Sequence, residues 1–389
     1  MDNMKKNRKL IQLGVILNLV IVCYYGVPST FAREYSLTPS LGITAEYNDN
    51  VAFDRTNERD DFLTIISPEA EFSSETVRGT FHTKVKGDIF RYLDETDENT
   101  ENLYLGFDGA YDMTERAAFR ADASYIADTT LESELMETGV VNVRSDRQRT
   151  NGGVGFTYTL SPRANVGIDY KYSKTDYDRP ESEDYDYNLV RGNYNYHFNT
   201  QVDTLTLQPY YSKRDSDIRD ADTYGITLGW THLFSETDLV KIFLGTRYTD
   251  QEKRNDSDES FGGTADISLL RTGEVYSAQL GYSRDIHNDV SGDLIEVDRI
   301  YCRLSRKIVG RLSVGFSGNF YFTRSEDDSE DDTRYFEVIP SLDYQLTKHH
   351  TLRLAYSYSE DDDEAYIENK SERSRVWIAV NFNFPYQWQ

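Results

Sequence analysis

Thr351-Leu352-Arg353-Leu354-Ala355-Tyr356-Ser357-Tyr358 sets Leu352, Leu354, Tyr356 and Tyr358 at every second position, with Thr351, Arg353, Ala355 and Ser357 between them. An extended strand points successive side chains to opposite sides, so this octapeptide has one apolar face and one polar face. An acidic stretch follows (Ser359 to Glu364, then Tyr366 to Glu372). The chain then returns through Val376, Ile378, Val380, Phe382 and Phe384, interleaved with Trp377, Ala379, Asn381 and Asn383. Thr351 to Phe384 therefore reads as an antiparallel hairpin. In a soluble sandwich its apolar side would face a core. Here that side is unusually aromatic, and the same pattern recurs down the whole chain. Such recurrence is the signature of an all-β, up-and-down transmembrane barrel, with lipid outside and a polar lumen inside.

Composition agrees. The 389 residues are only 38% hydrophobic, yet they include 30 Tyr and 19 Phe. By length alone the chain would make two or three soluble domains. A barrel instead needs an apolar residue at every other strand position and few in its loops, which keeps overall hydrophobicity low. Disorder shares the low hydrophobicity but not the aromatic and β-branched content. A propeller or solenoid would repeat in sequence, whereas this chain repeats only in pattern. No stretch after residue 32 approaches the roughly 20 apolar residues of a transmembrane helix.

Residues 1–32 read as a secretory signal peptide, leaving 33–389 as the barrel. Lys5, Lys6, Arg8 and Lys9 precede the apolar run Leu10 to Val22, and Thr30-Phe31-Ala32 offers a cleavage site. The chain carries −25; the leader is net +3, so the remainder carries −28. A surface so acidic repels nucleic acid. It suits an outer leaflet of lipopolysaccharide whose phosphates are bridged by divalent cations. Cys302 is the one cysteine beyond the leader, so no intrachain disulfide is expected. Alternation puts it between Ile300 and Leu304 on the apolar face.

Strand-length segments of about 9–11 residues suffice to cross a membrane when tilted. Eighteen can be counted, with longer, acidic connections after odd strands and short turns after even ones. That asymmetry implies long extracellular loops, short periplasmic turns and both termini in the periplasm of a Gram-negative cell. Loops are expected at Asn48 to Asp61, Asp128 to Arg149 (the longest), Asp215 to Asp222 and Asp250 to Gly263, among others. A phase slip near Leu189 and Val190 suggests a bulge.

No catalytic, cofactor or metal site is expected. The six histidines are scattered, and no nucleophile elbow, P-loop or dinucleotide fingerprint appears. Acidic runs such as Glu326 to Asp332 and Glu360 to Glu364 lack calcium-loop spacing and read as solvated surface. Alternation nominates Lys84, Lys86, Asp88, Arg120, Asp122, Asp169, Lys171, Lys241, Arg247, Arg299, Arg303 and Arg353 as pore-lining. These could guide an anionic solute or neutralise acids across neighbouring strands. Tyr104, Tyr210 and Tyr301 also face inward and offer stacking surfaces. Tyr170, Tyr172, Trp230, Tyr248, Phe320, Phe322, Tyr356, Tyr358, Phe382 and Phe384 are nominated as lipid-facing aromatics.

Leu37-Thr38-Pro39-Ser40-Leu41 through Glu46-Tyr47-Asn48-Asp49-Asn50-Val51, echoed at Pro340-Ser341-Leu342-Asp343-Tyr344, resembles the opening of a family of β-barrel porins. Members accompany exopolysaccharide-export and PEP-CTERM/exosortase loci. The resemblance implies an outer-membrane passage for a secreted polysaccharide, inserted by the barrel-assembly machinery and working with periplasmic export proteins. A general diffusion porin, or a purely structural or surface-interaction barrel, is the alternative.

Overall fold

The computed structural model describes residues 34–141, 144–180, 182–198, 202–253, 256–290, 292–325, 332–363 and 370–388. The expected signal peptide and most of the acidic run Glu326 to Asp332 lie outside them. Among the described residues, eighteen long strands of 13 to 17 residues follow one another. They are β1 (Glu34–Asn48), β2 (Asp61–Glu75), β3 (Gly79–Tyr92), β4 (Thr100–Asp112), β5 (Ala117–Thr129) and β6 (Asp146–Ser161). Next come β7 (Ala164–Tyr177), β8 (Tyr185–His197), β9 (Asp203–Ser216), β10 (Arg219–Leu233), β11 (Asp238–Lys253) and β12 (Asp256–Thr272). The series ends with β13 (Tyr276–Asn288), β14 (Leu294–Val309), β15 (Leu312–Ser325), β16 (Thr333–Gln345), β17 (His350–Asp363) and β18 (Lys370–Asn383).

Each strand pairs antiparallel with the next, and β1 closes the ring by pairing with both β2 and β18. Ile43 faces Ile66 on one side and Val380 on the other. A short β19 (Tyr386–Trp388) continues on β1, with Trp388 opposite Tyr35. Closure matters because hydrocarbon offers no partner to a bare backbone N–H or C=O.

Exposure is inverted relative to a soluble protein. Outward Leu228, Ile300, Leu354 and Ile378 are about half exposed, while inward Ser357 and Ser359 are fully buried. Near the long-loop end, outward tyrosines donate to carboxylates: Tyr172 to Asp186 at 2.7 Å, Tyr211 to Asp222 at 2.6 Å and Tyr282 to Asp298 at 2.6 Å. Their rings suit lipid and their hydroxyls water, so this row marks one boundary of the apolar band.

Three expectations change. The loops expected at Asp215 to Asp222 and Asp250 to Gly263 are largely strand, because backbone pairing continues where apolar residues are too sparse to show a period. No bulge occurs in β8: Leu189 lies opposite Lys171 and Ser212 in unbroken register, and simply faces inward. Irregularities sit instead beside short turns, at Thr159/Ser161 and Lys307/Val309. Finally, Asp361 of the expected solvated run is fully buried and pairs with Arg55 at 2.7 Å.

β12 pairs with β11 along nearly its whole length but with β13 only from Ala265 to Thr272. Above Ala265 the wall splits. Arg247, lining the lumen from β11, lies over Gly262 and reaches Glu296 of β14 at 3.5 Å; Glu296 also binds Arg284 of β13. The ion pair bridges the split. Amide hydrogen exchange should therefore show alternate amides of 257–264 exchanging fast while 266–271 stay protected. Uniform protection along β12 would contradict the split.

Candidate functional site: a helix across the lumen

The connection from β5 to β6 does not stay outside. Thr130–Glu137 forms a helix, α1, about 12 Å long at 1.5 Å per residue. Leu131 and Leu135, one turn apart, make a single apolar stripe, and both are 1% exposed. The stripe packs in a cluster with Ile295 and Val297 of β14, Tyr321 of β15, Tyr335 of β16, and Phe53 from the β1–β2 connection. In an eighteen-strand ring, β14 is diametrically opposite β5. The helix therefore reaches across the lumen to the far wall.

Polar contacts hold both ends. On the far side, Tyr321 Oη donates to the Met136 carbonyl and Thr323 Oγ1 to the Thr138 carbonyl, each at 2.6 Å. These bonds satisfy carbonyls that a helix C-terminus leaves open. Gly139 must pass Tyr321 closely with φ +75°, a backbone shape that glycine adopts at little cost. Glu132, in the first turn, accepts from Arg373 of β18 at 2.8 Å. On the near side, Arg147 of β6 is 2% exposed; it binds Asp128 through Nε and Nη2 at 3.0 Å each, and Glu134 through Nη1 at 2.9 Å. Arg149 holds Glu137 with bonds of 2.6 and 2.8 Å.

These surroundings separate the helix carboxylates. Burial pushes Glu132 up, but Arg373, Arg375 and Arg144 together outweigh it and hold the group down at about 2. Glu134 is raised to about 7, chiefly by burial, because Arg147 divides its charge among Asp128, Glu134 and Glu137. The raised carboxyl favours its protonated, docked form. Its contribution to docking is complete below the ordinary value of 4.5 and lost as pH rises through about 7. Glu132 has the opposite sign and changes only as pH falls below 4.5. Protection of the α1 amides, taken relative to their intrinsic exchange rates at each pH, should accordingly be weaker at pH 8 than at pH 5, and Glu134→Gln should abolish the difference. An unchanged pH dependence in that variant would remove Glu134 from the account.

Beside the helix, a cavity of about 780 Å³ runs along the wall from β6 to β14. Glu137, Arg149, Arg191, Tyr210, Arg214, Lys241, Phe243, Arg247, Asp266 and Asp285 are among its lining residues. The twelve nominated lumen residues lie on inward strand positions but differ in what they touch. Lys84 binds Glu69 and Glu71, Lys86 binds Asp88, and Arg353 binds Asp343 at 2.6 to 3.0 Å, so their charges are neutralised across or along strands. Asp169 accepts from Asn193 at 2.5 Å, and Asp122 sits over Gly153. Arg247 serves the wall split. Among the described residues Arg120, Lys171, Lys241, Arg299 and Arg303 have no carboxylate partner; Arg299 donates to Asn319 and Arg303 to Gln279. The nominated aromatics occupy outward positions, with Tyr170, Trp230, Tyr248, Phe320, Tyr356 and Phe384 each over a third exposed. The residues that narrow the lumen (Leu131, Glu132, Glu134, Arg147, Tyr321, Arg373) went unnominated. Their one sequence signal was Leu131-x-x-x-Leu135 inside the longest loop.

Residues 32–181 match the family described as "Putative beta-barrel porin 2". No curated protein matches the sequence. Solved structures that resemble the chain include OccK2 (OpdF) of Pseudomonas aeruginosa, at 12% identity and a TM-score of 0.48 over 90% of this chain and 98% of that one. OccK1 (OpdK) of the same organism aligns at 11% and 0.49 over 90% and 99%. Acinetobacter baumannii OccAB3 aligns at 11% and 0.47 over 91% and 99%. Likeness at this level transfers no solute and no residue role. The family match spans β1 to β7, less than half of the chain, and the closed ring with its apolar outer band makes the chain a transmembrane β-barrel.

Proposed function

We propose that this barrel is a diffusion channel for small hydrophilic solutes, with its long-loop end outside the cell and its bore set by α1. The observation that carries the reading is the docked helix. A ring of eighteen strands is wide enough to hold an aqueous channel. A helix braced on both walls leaves solutes the passage along β6 to β14. Threading a hydrated polysaccharide would require displacing Leu131 and Leu135 from their cluster and breaking the contacts of Glu132, Glu134 and Glu137 with their arginines. The docked helix thus favours small solutes over the polysaccharide-export reading, and passive diffusion needs no periplasmic motor. Lipopolysaccharide around the band and the barrel-assembly machinery for insertion remain the partners this reading calls for.

Replacing residues 131–141 by a short Gly/Ser linker should raise single-channel conductance several-fold. It should also admit larger sugars in liposome swelling, with gel migration of the unheated barrel reporting that it still folds. Unchanged conductance and size cut-off would show that α1 does not set the bore. Passage of long oligosaccharides through the unmodified channel would restore the export reading.

A further inference from the structure

Three lumen-facing rings lie across glycines of the adjacent strand. A methyl group built on Gly225 would collide with Tyr210, one on Gly229 with Phe243, and one on Gly281 with Tyr301. Without a Cβ beneath it, a ring can lie against the wall, one side on backbone and the other toward the lumen. Each ring also has a cation beside it that no carboxylate among the described residues holds. Arg191 is directly opposite Tyr210 in the β8–β9 ladder. Lys241 shares the inward face of β11 with Phe243, two residues away. Arg299 and Arg303 flank Tyr301, their guanidinium carbons 5.3 and 5.7 Å from its centroid.

These pairings run against the chain's average, which is a net charge of −25. They also differ from Tyr104, whose neighbouring Lys86 is already bound to Asp88. At Phe243 the cross-strand neighbour is Asp266, which offsets Lys241. Arg191 also faces Asp169 across the β7–β8 ladder, but that carboxylate lies over Gly155 and accepts from Asn193, so the Tyr210 and Tyr301 positions are the two that combine a flat aromatic face with a cation that no carboxylate binds.

Resting on the channel reading, we propose that Tyr210 with Arg191, and Tyr301 with Arg299 and Arg303, are two binding subsites for a small cyclic carboxylate. The solute's ring stacks on the tyrosine, and its carboxylate takes the guanidinium fork, whose paired donors match carboxylate geometry. A neutral ring satisfies only the tyrosine and an acyclic anion only the arginine, so selectivity requires both in one molecule. Separate, modest sites along a wall let a solute bind well enough to enter and weakly enough to leave.

The test is current block in single channels by galacturonate, benzoate, galactose and acetate. The proposal expects galacturonate or benzoate to block at lower concentration than galactose or acetate. Which of the two blocks better tells a sugar acid from an aromatic acid. Arg191→Gln with Arg303→Gln, and separately Tyr210→Ala with Tyr301→Ala, should each raise the half-blocking concentration about tenfold, the loss of about 1.4 kcal/mol. Tyr210→Phe with Tyr301→Phe should keep the unmodified value. Equal block by galacturonate, galactose and acetate overturns the proposal. So do alanine variants that lower only the melting temperature, since the rings would then merely brace the wall. If the unmodified barrel conducts no current, the channel reading fails by itself. Calorimetric binding of galacturonate and benzoate to the refolded barrel then decides the subsites, with binding that weakens in both variant pairs supporting them and no binding overturning them.

Discussion

A backbone surrounded by lipid has to satisfy its own hydrogen bonds, and that requirement governs the molecule. β1 answers it by pairing with β2 on one edge and β18 on the other, so the ring has no edge within the apolar band. Closure then fixes which residues can do anything. Every second side chain is committed to lipid, and chemistry is left to the inward positions and to whatever the loops bring inside. The longest lapse in pairing among the described residues lies above Ala265 of β12, and there Arg247 and Glu296 bridge the opening.

The inward positions divide into two populations. On β2, β3, β16 and β17, cations meet carboxylates and neutralise them. Along β8 to β14, Arg191, Arg299 and Arg303 meet rings, amides or open space instead. Helix α1 reinforces the asymmetry. Its acids are matched to Arg147 and Arg149 on one wall and to Arg373 and Arg375 on the other, so an acid-rich segment enters the lumen without opposing those free cations.

Much of the wall was legible in the sequence, because alternation is imposed by lipid on one side and water on the other. Leu352, Leu354, Tyr356 and Val376, Ile378, Val380 lie where their period placed them, and the strand count of eighteen emerged from the same rule. Legibility ended where lipid no longer sorts residues. The upper part of β12 has a single large apolar residue, Phe261, too few to show a period, so it read as loop. Leu131 and Leu135 offered only two apolar residues, and the side chains that bury them come from the β1–β2 connection (Phe53) and from β14 to β16, distant in sequence. Asp361 read as solvated because nothing local announces Arg55, about 300 residues earlier. Among the nominated pore residues, facing inward could be inferred from parity. Being neutralised or free could not, since that depends on what the neighbouring strand presents at the same height.

The central claim is that α1 is docked across the lumen, and two neighbouring residues test it directly. Leu135 is 1% exposed while Met136 is 46% exposed. In a Cys302→Ser background, Leu135→Cys and Met136→Cys would be challenged in membranes with a membrane-impermeant maleimide. A docked helix predicts rapid labelling at 136 and strong protection at 135 until the protein is unfolded. Equal, rapid labelling at both positions would contradict it and leave the lumen open.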